Sequence, residues 1–284
     1  MQNEEYQSMT ERVSASMLKV FLSDKAKYNA YWVEKTQAPP DLSTRTAVMV
    51  GDCVHQILLE KKVVTDVVVN YPESCFKSNG AINPKPASEF REIMAADGKY
   101  VVKDDEFRRI VEICNSVIDH PLGQLVGRND IIFEEPVFWT DDSTGIDCRA
   151  KPDFMYVDDK HVLCYDLKVS ESSNPDTWVR ISKRLNYWLQ AAHYISGLAH
   201  VHNKPVRFVF WVIESAWPYR IAQYEFDAIS LERCTSTYSN LMSDLKRRTE
   251  SGDWKEPWEL GSNSLLIESW DLKEQEEELE GFDD

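Results

Sequence analysis

Two apolar runs carry the strongest pattern in this chain. Phe154-Met155-Tyr156-Val157 and Val162-Leu163-Cys164-Tyr165, extended by Leu167 and Val169, flank the polar stretch Asp158-Asp159-Lys160-His161. Extended apolar segments around a turn of this composition predict a β-hairpin. Further strands are predicted near 131–140, 145–157, 206–214 and 220–226. Helices are predicted near 14–33, 44–61, 104–119, 176–201 and 228–250. In the fourth of these, Trp178, Ile181, Leu185, Trp188, Leu189, Ala192, Ile195 and Leu198 recur at helical spacing. Residues 71–103 contain Pro, Asn and Gly with weak periodicity and read as a loop or insertion over the site. The order of helices, three strands, a helix and two strands predicts an α/β fold with a mixed central sheet flanked by helices. Residues 1–260 read as one domain, and 261–284 as an acidic, flexible tail.

The hairpin carries charges that its apolar pattern does not call for. With a two-residue loop at Asp159-Lys160, residues whose numbers sum to 319 face each other. Asp153 then opposes Asp166 with Cβ atoms roughly 5 Å apart. Lys168 lies two residues beyond Asp166 and points to the same face. Two carboxylates this close repel, and a divalent cation with oxygen ligands relieves the repulsion. The lysine would then orient an attacking water or help to deprotonate it. The plain alternative is a surface hairpin with one Lys168–Asp salt bridge.

Other candidates lie along the chain. Gln190 and Tyr194 are four apart and share a helix face. His55 lies inside the apolar segment 46–60, one turn after Gly51, whose missing side chain admits a neighbouring backbone or a ligand. Glu134 and Glu135 fall in a strand candidate, where one points inward and the other outward. Each also has an ordinary reading: a satisfied core histidine, a helix face, or solvated acids beside Pro136.

Together, and in this order, these features resemble the RecB-like branch of the PD-(D/E)XK nuclease superfamily, and most nearly its RecE-type exonucleases (the exodeoxyribonuclease VIII catalytic domain). The likeness runs through VSASMLKVFLSDKAKY, TRTAVMVGDCVHQILLE, EEPVFWTDDSTGIDCRAKPDFMYV, VLCYDLKVS and YWLQAAHYISGL. It stops near Thr249. The resemblance implies a restriction-endonuclease-like core. It makes Asp153 and Asp166 metal-binding carboxylates, Lys168 the catalytic lysine, and His55 an additional metal ligand. Gln190 and Tyr194 would support the site and the DNA phosphate, and the Leu167 carbonyl would be a further metal oxygen. Glu134 is the better further acid, because the family glutamate stands five residues before the aromatic that is Trp139 here; Glu135 stays open. The implied cofactor is Mg²⁺, with Mn²⁺ as substitute, one or two ions per site. The implied activity is digestion of linear double-stranded DNA from 5′ to 3′, leaving 3′ overhangs for recombination by strand annealing. A ring-shaped homo-oligomer, a tetramer among the options, and a single-strand annealing protein are the implied partners, in the cytoplasm of a phage's or prophage's bacterial host. A structure-specific or restriction-like endonuclease, and an inactive nucleic-acid-binding module on the same fold, are the alternatives.

Composition narrows these readings. With 43% hydrophobic residues, nine Trp and eleven Phe, the 284-residue chain can bury a sizeable core. No apolar run reaches the ~20 residues that span a bilayer, and the N-terminus lacks a secretory pattern. The six cysteines are scattered, which favours reduced core thiols over a disulfide framework, a zinc site or an iron–sulfur cluster. The net charge of −16 opposes DNA binding. The segment 268–284 alone holds nine acids and one lysine, leaving −8 for the rest. Arg45, Arg149, Lys151, Arg180, Lys183 and Arg184 are candidates for contacts to DNA backbone or a 5′ phosphate, with ordinary solvated charge as the alternative for each.

Overall fold

A computed structural model describes residues 3–40 and 46–262. Its helices are α1 (Asn3–Ser8), α2 (Ala15–Ser23), α3 (Lys25–Tyr28), α4 (Thr46–Leu58), α5 (Val64–Val67), α6 (Pro84–Ala96), α7 (Asp104–Asp119), α8 (Pro175–Arg184), α9 (Tyr187–His202) and α10 (Ala228–Ser251). A π-helical turn, Asn29–Val33, extends α3. The strands are β1 (Val68–Asn70), β2 (Tyr100–Val102), β3 (Ile132–Phe133), β4 (Val137–Thr140), β5 (Asp147–Ala150), β6 (Phe154–Val157), β7 (Val162–Ser170), β8 (Val206–Glu214) and β9 (Ile221–Tyr224). A five-stranded sheet of order β3-β6-β7-β8-β9 forms the centre. Only the β7–β8 pair in it is parallel, joined by a crossover through α8 and α9. A mixed sheet flanked by helices is thus observed, as the pattern predicted.

Alternation along the central strands builds two cores. On β7 and β8, Cys164, Phe208, Phe210 and Val212 face a cluster that includes Leu18, Phe21, Leu189, Leu198 and Met242 from α2, α9 and α10. Tyr165, Leu167, Val209, Trp211 and Ile213 face the opposite cluster, with Val54, Ile110 and Ile113 from α4 and α7. Strands buried on both faces need apolar residues at odd and even positions alike. Asp166 and Lys168 interrupt that rule on β7, on the face that looks towards α9.

Several predicted elements are interrupted where their pattern runs on. The segment 131–140 splits at Glu134–Pro136 into β3 and β4, which belong to different sheets. Pro136 has no N–H for a ladder, and Glu134 adopts a left-handed φ of 51°. The segment 145–157 splits around Lys151-Pro152-Asp153 into β5 and β6. The helix predicted at 176–201 breaks after α8, where Asn186 takes φ 50°, a conformation that asparagine tolerates better than most residues. The segment 71–103 is not one loop, since it holds α6 and β2. Tyr100 on β2 donates from its hydroxyl to Asp52 Oδ2 at 2.8 Å, bracing α4. Most of the acidic tail, residues 263–284, and Arg45 lie outside the described residues.

Two buried contacts have measurable consequences. Gly197 packs on Trp139 so closely that an added Cβ would lie 2.5 Å from the indole. Trp139 is itself buried, so the ring has little room to yield. Gly197→Ala is expected to lower stability by ~1–3 kcal/mol, read as a lower urea midpoint. His193 is fully buried between the Arg149 carbonyl (Nε2, 3.0 Å) and the Tyr238 hydroxyl (Nδ1, 3.3 Å). Burial pushes its pKa down to about 4, so the unfolded chain binds a proton near pH 6.5 that the folded chain refuses. Stability from this residue is complete above pH 6.5 and falls as pH drops towards 4, by about 3 kcal/mol. In a His193→Gln variant that part of the pH dependence should vanish from urea titrations between pH 7 and 4.

Candidate active site

The β6–β7 hairpin sets the register. Phe154 pairs with Tyr165 and Met155 with Cys164, so facing residues sum to 319. Asp158 shapes the turn, its Oδ1 accepting from the amides of Lys160 (2.7 Å) and His161 (2.8 Å), as turn aspartates do. Ladder pairing stops at Phe154. Asp153, one residue earlier, uses Oδ2 to accept from the amide of Leu167 at 2.6 Å, replacing the missing strand partner. Because N–H and C=O of one strand residue point to the same edge, the Leu167 carbonyl also faces the cleft.

Around this edge the cleft collects its groups. Asp166 is 1% exposed and accepts at Oδ1 from Gln190 Nε2 at 2.5 Å. Its Oδ2 pairs with Lys168 Nζ. His55, from the last turn of α4, places Nε2 3.1 Å from Asp153 Oδ1 and 2.8 Å from Glu134 Oε1. Glu134 also pairs with Lys151, and its amide donates to the Asp153 carbonyl at 3.2 Å. The left-handed turn at Glu134 directs it into the cleft, while Glu135 is exposed. Tyr194 donates to the Lys151 carbonyl at 3.3 Å. The cleft has a volume of about 580 Å³. Gly51 lines it, and no backbone approaches the space of its missing side chain; that glycine leaves room on the ligand side only. No residue of the 71–103 segment lines the cleft.

Burial and charge oppose each other throughout. Burial raises the Asp166 carboxyl, the nearby Lys168 lowers it and Asp153 raises it again, with a result of about 6. Burial also raises Asp153, but His55 and Lys168 outweigh it and hold it below the usual carboxylate range. His55 and Lys168 both lose charge stability on burial. Their carboxylate neighbours more than restore it and keep both cationic. Lys168 is therefore suited to donate hydrogen bonds and balance negative charge; it is held protonated and cannot take a proton in this arrangement.

Some site residues gave no sequence signal of their own. Tyr187, placed by the break at Asn186, lies with its ring centroid 5.1 Å from Lys168 Nζ and 4.7 Å from Lys19 Nζ. Tyr6 on α1 walls the cleft on one side. Of the predicted basic contacts, Arg180, Lys183 and Arg184 are exposed on α8. Lys151 is partly buried and committed to Glu134. Arg149 is 4% exposed, unlike the solvated charge offered as its alternative.

Ligand atoms of His55, Glu134 and Asp153 all lie within 4.8 Å of one another. Asp166 and Leu167 border the same cleft, and no thiol among the described residues lines it. Carboxylate and carbonyl oxygens with one imidazole suit a hard or borderline divalent cation rather than a soft one.

Residues 14–257 match a family described as a PDDEXK-like domain of unknown function, DUF3799. The chain belongs to this family, and through it to the PD-(D/E)XK nuclease superfamily, whose members use divalent metal ions. Its fold is similar to the crystal structure of a provisionally named exonuclease from Eubacterium rectale: TM-score 0.59, 15% identity, with 97% of each chain covered. A second solved structure, SSO0001, overlaps at TM-score 0.28 and 14% identity over 67% of this chain and 85% of that one, too little to argue from. No curated protein matches the sequence. Among the described residues no helix is long and apolar enough to cross a membrane.

If the carboxylates hold a cation, Mn²⁺ or Mg²⁺ at about 100 times its Kd should stabilise the fold by ~2.7 kcal/mol, seen as a raised Tm. Asp153→Asn and His55→Ala should lose most of that rise while remaining folded by circular dichroism.

Proposed function

We propose that this protein is a Mg²⁺-dependent exodeoxyribonuclease that digests linear double-stranded DNA from 5′ ends and leaves 3′ overhangs. One observation carries the reading: Asp153 and Asp166 flank the end of the β6–β7 ladder, with Lys168 paired to Asp166 and His55 and Glu134 brought against Asp153. The likeness in fold to a protein named as an exonuclease supports it. The ring-shaped oligomer and the annealing partner belong to the same reading and rest on the resemblance to RecE-type enzymes alone.

His55, Glu134, Asp153, Asp166 and the Leu167 carbonyl would hold the cation. When bound, it supplies a Lewis acid that polarises the phosphodiester and favours deprotonation of water. Lys168 Nζ, fixed by Asp166 and Tyr187, donates towards the charge that develops on the phosphate and the attacking oxygen. Gln190 holds Asp166 in one rotamer through its amide. Tyr194, through the Lys151 carbonyl, steadies the bend that presents Asp153. Glu134 keeps the Lys151 ammonium against the cleft wall. Water adds to phosphorus and the 3′ oxygen departs as a hydroxyl, so the phosphate stays on the 5′ carbon of the next nucleotide.

Linear duplexes labelled at the 5′ or the 3′ end, incubated with Mg²⁺, test this reading. Early release of the 5′ label as mononucleotide is expected, with no reaction in EDTA and no cutting of a covalently closed circle. Lys168→Ala should cost at least ~10²-fold in rate. Wild-type rates in that variant would overturn the site assignment, and cutting of closed circles would overturn end dependence in favour of an endonuclease.

A further inference from the structure

Beyond the cleft, the far end of β7 borders another cavity, of about 270 Å³. Thr46 on α4, Arg109 on α7, Ser170 at the end of β7, Glu171, and Ser215 just after β8 wall it. Ala47 and Val169 line both this cavity and the cleft, so the two adjoin. The Nε of Arg109 is buried without a hydrogen-bond partner, and its side chain makes no ion pair among the described residues. A buried donor left unmet costs free energy until an acceptor enters. Arg109 also reaches a third cavity, which it shares with Asp105, Arg108, Glu112 and Tyr219.

Residues 215–220 join β8 to β9 across the top of this region, and the turn is pinned at several points. The amide of Ser215 donates to the Ser170 carbonyl at 2.7 Å, that of Glu214 to the Arg220 carbonyl at 2.9 Å, and that of Tyr219 to the Ala216 carbonyl at 2.9 Å. The Tyr219 hydroxyl donates to Glu112 Oε2 on α7 at 2.5 Å. Held in this way, the turn leaves Trp217 84% exposed, the highest value for a large apolar side chain among the described residues. Its indole has no ring, cation or hydrogen-bond contact among the described residues. It stands two residues from Ser215 on the cavity wall. A rigidly presented aromatic face next to a cation with an unmet donor is the pairing that single-stranded nucleic acid recognises, by stacking and by phosphate contact.

We infer that the Arg109 cavity and the indole of Trp217 together bind single-stranded DNA, and that their occupant is the strand left over by digestion. The inference rests on the exonuclease reading for the origin of that strand. In a duplex the base faces are stacked on one another, and only an unpaired strand can offer one to an indole. At ~30 Å³ per water, the cavity holds one base or sugar with its phosphate. The acids fit the same ligand. Glu171 and Asp105 would repel the phosphate-covered outside of a duplex, but they can accept from the exocyclic amines of unpaired bases. Stacking needs no charge, so a chain of net −16 can retain a strand here without a broad basic surface. The cavity adjoins the cleft, so a strand parted from its partner there has this path beside it.

The test is equilibrium binding of the full chain in EDTA, followed by fluorescence anisotropy, so that neither metal nor hydrolysis enters. One duplex sequence is compared as a blunt form, with a single-stranded tail of about ten nucleotides at the 3′ end, and with the same tail at the 5′ end. The 3′-tailed duplex should bind roughly tenfold tighter than the blunt one. Trp217→Ala should bring it down to the blunt affinity, Trp217→Phe should keep most of the gain because a smaller ring still stacks, and Arg109→Gln should reduce it. Trp217 is exposed, so its variants carry the test even if Arg109→Gln fails to fold. Equal affinity for blunt and 3′-tailed DNA in the wild type would overturn the inference, as would a gain that survives in Trp217→Ala. A gain as large for the 5′ tail would overturn the assignment to the remaining strand. Equal losses for blunt and tailed duplexes in Trp217→Ala would overturn it too, since the indole would then be capping a duplex end. No arm requires cleavage, so the hydrolysis of labelled blunt duplexes judges the exonuclease reading separately.

Discussion

The buried carboxylate of Asp166 is the constraint to which the rest of the site answers. An isolated charge at 1% exposure would simply take up a proton or unfold the strand. Gln190 donates to one oxygen and the Lys168 ammonium pairs with the other, and Tyr187 in turn covers Lys168. Removing any of these leaves an uncompensated charge, so the surrounding elements are tied to one geometry. The same logic binds Asp153 to His55 and Leu167, and Glu134 to Lys151. Three carboxylates and three cations interlock at the end of one hairpin, their charges close to balance.

Function here is placed at interruptions of regular structure. The sheet loses β6 just where Asp153 is needed, because Pro152 cannot donate to a ladder. The strand candidate before it breaks at Glu134, whose left-handed backbone swings its carboxylate to His55. The long helix breaks at Asn186 and delivers Tyr187 beneath two lysines. Backbone in sparsely populated conformations costs on the order of 1–3 kcal/mol. The packed layers on both faces of β7 and β8 supply the rigidity that sustains it.

Charge is distributed to match. A chain of net −16 repels DNA at long range. Its cations near the cleft are nevertheless arranged in two sets. Lys151 and Lys168 are paired with acids in the cleft. Arg149 and Lys19 are without acidic partners among the described residues and face a cavity. Arg180, Lys183 and Arg184 add positive potential on the adjoining helix. A local field of this kind can govern binding in a groove whatever the sign of the outer surface.

The hairpin register, the mixed sheet and the convergence of Asp153, Asp166 and Lys168 were legible in the sequence, because strand side chains alternate with a period of two and a turn fixes which residues face each other. The choice between Glu134 and Glu135 was not, since alternation gives no direction once a proline and a left-handed residue interrupt the strand. Nor was the burial of Arg149, whose place depends on Val13 joining β5 from more than a hundred residues away. Local periodicity encodes what lies on one face of one element. Which faces meet, and which charges are left without partners when they do, is decided only when distant segments pack, since burial and pairing are properties of the assembled chain.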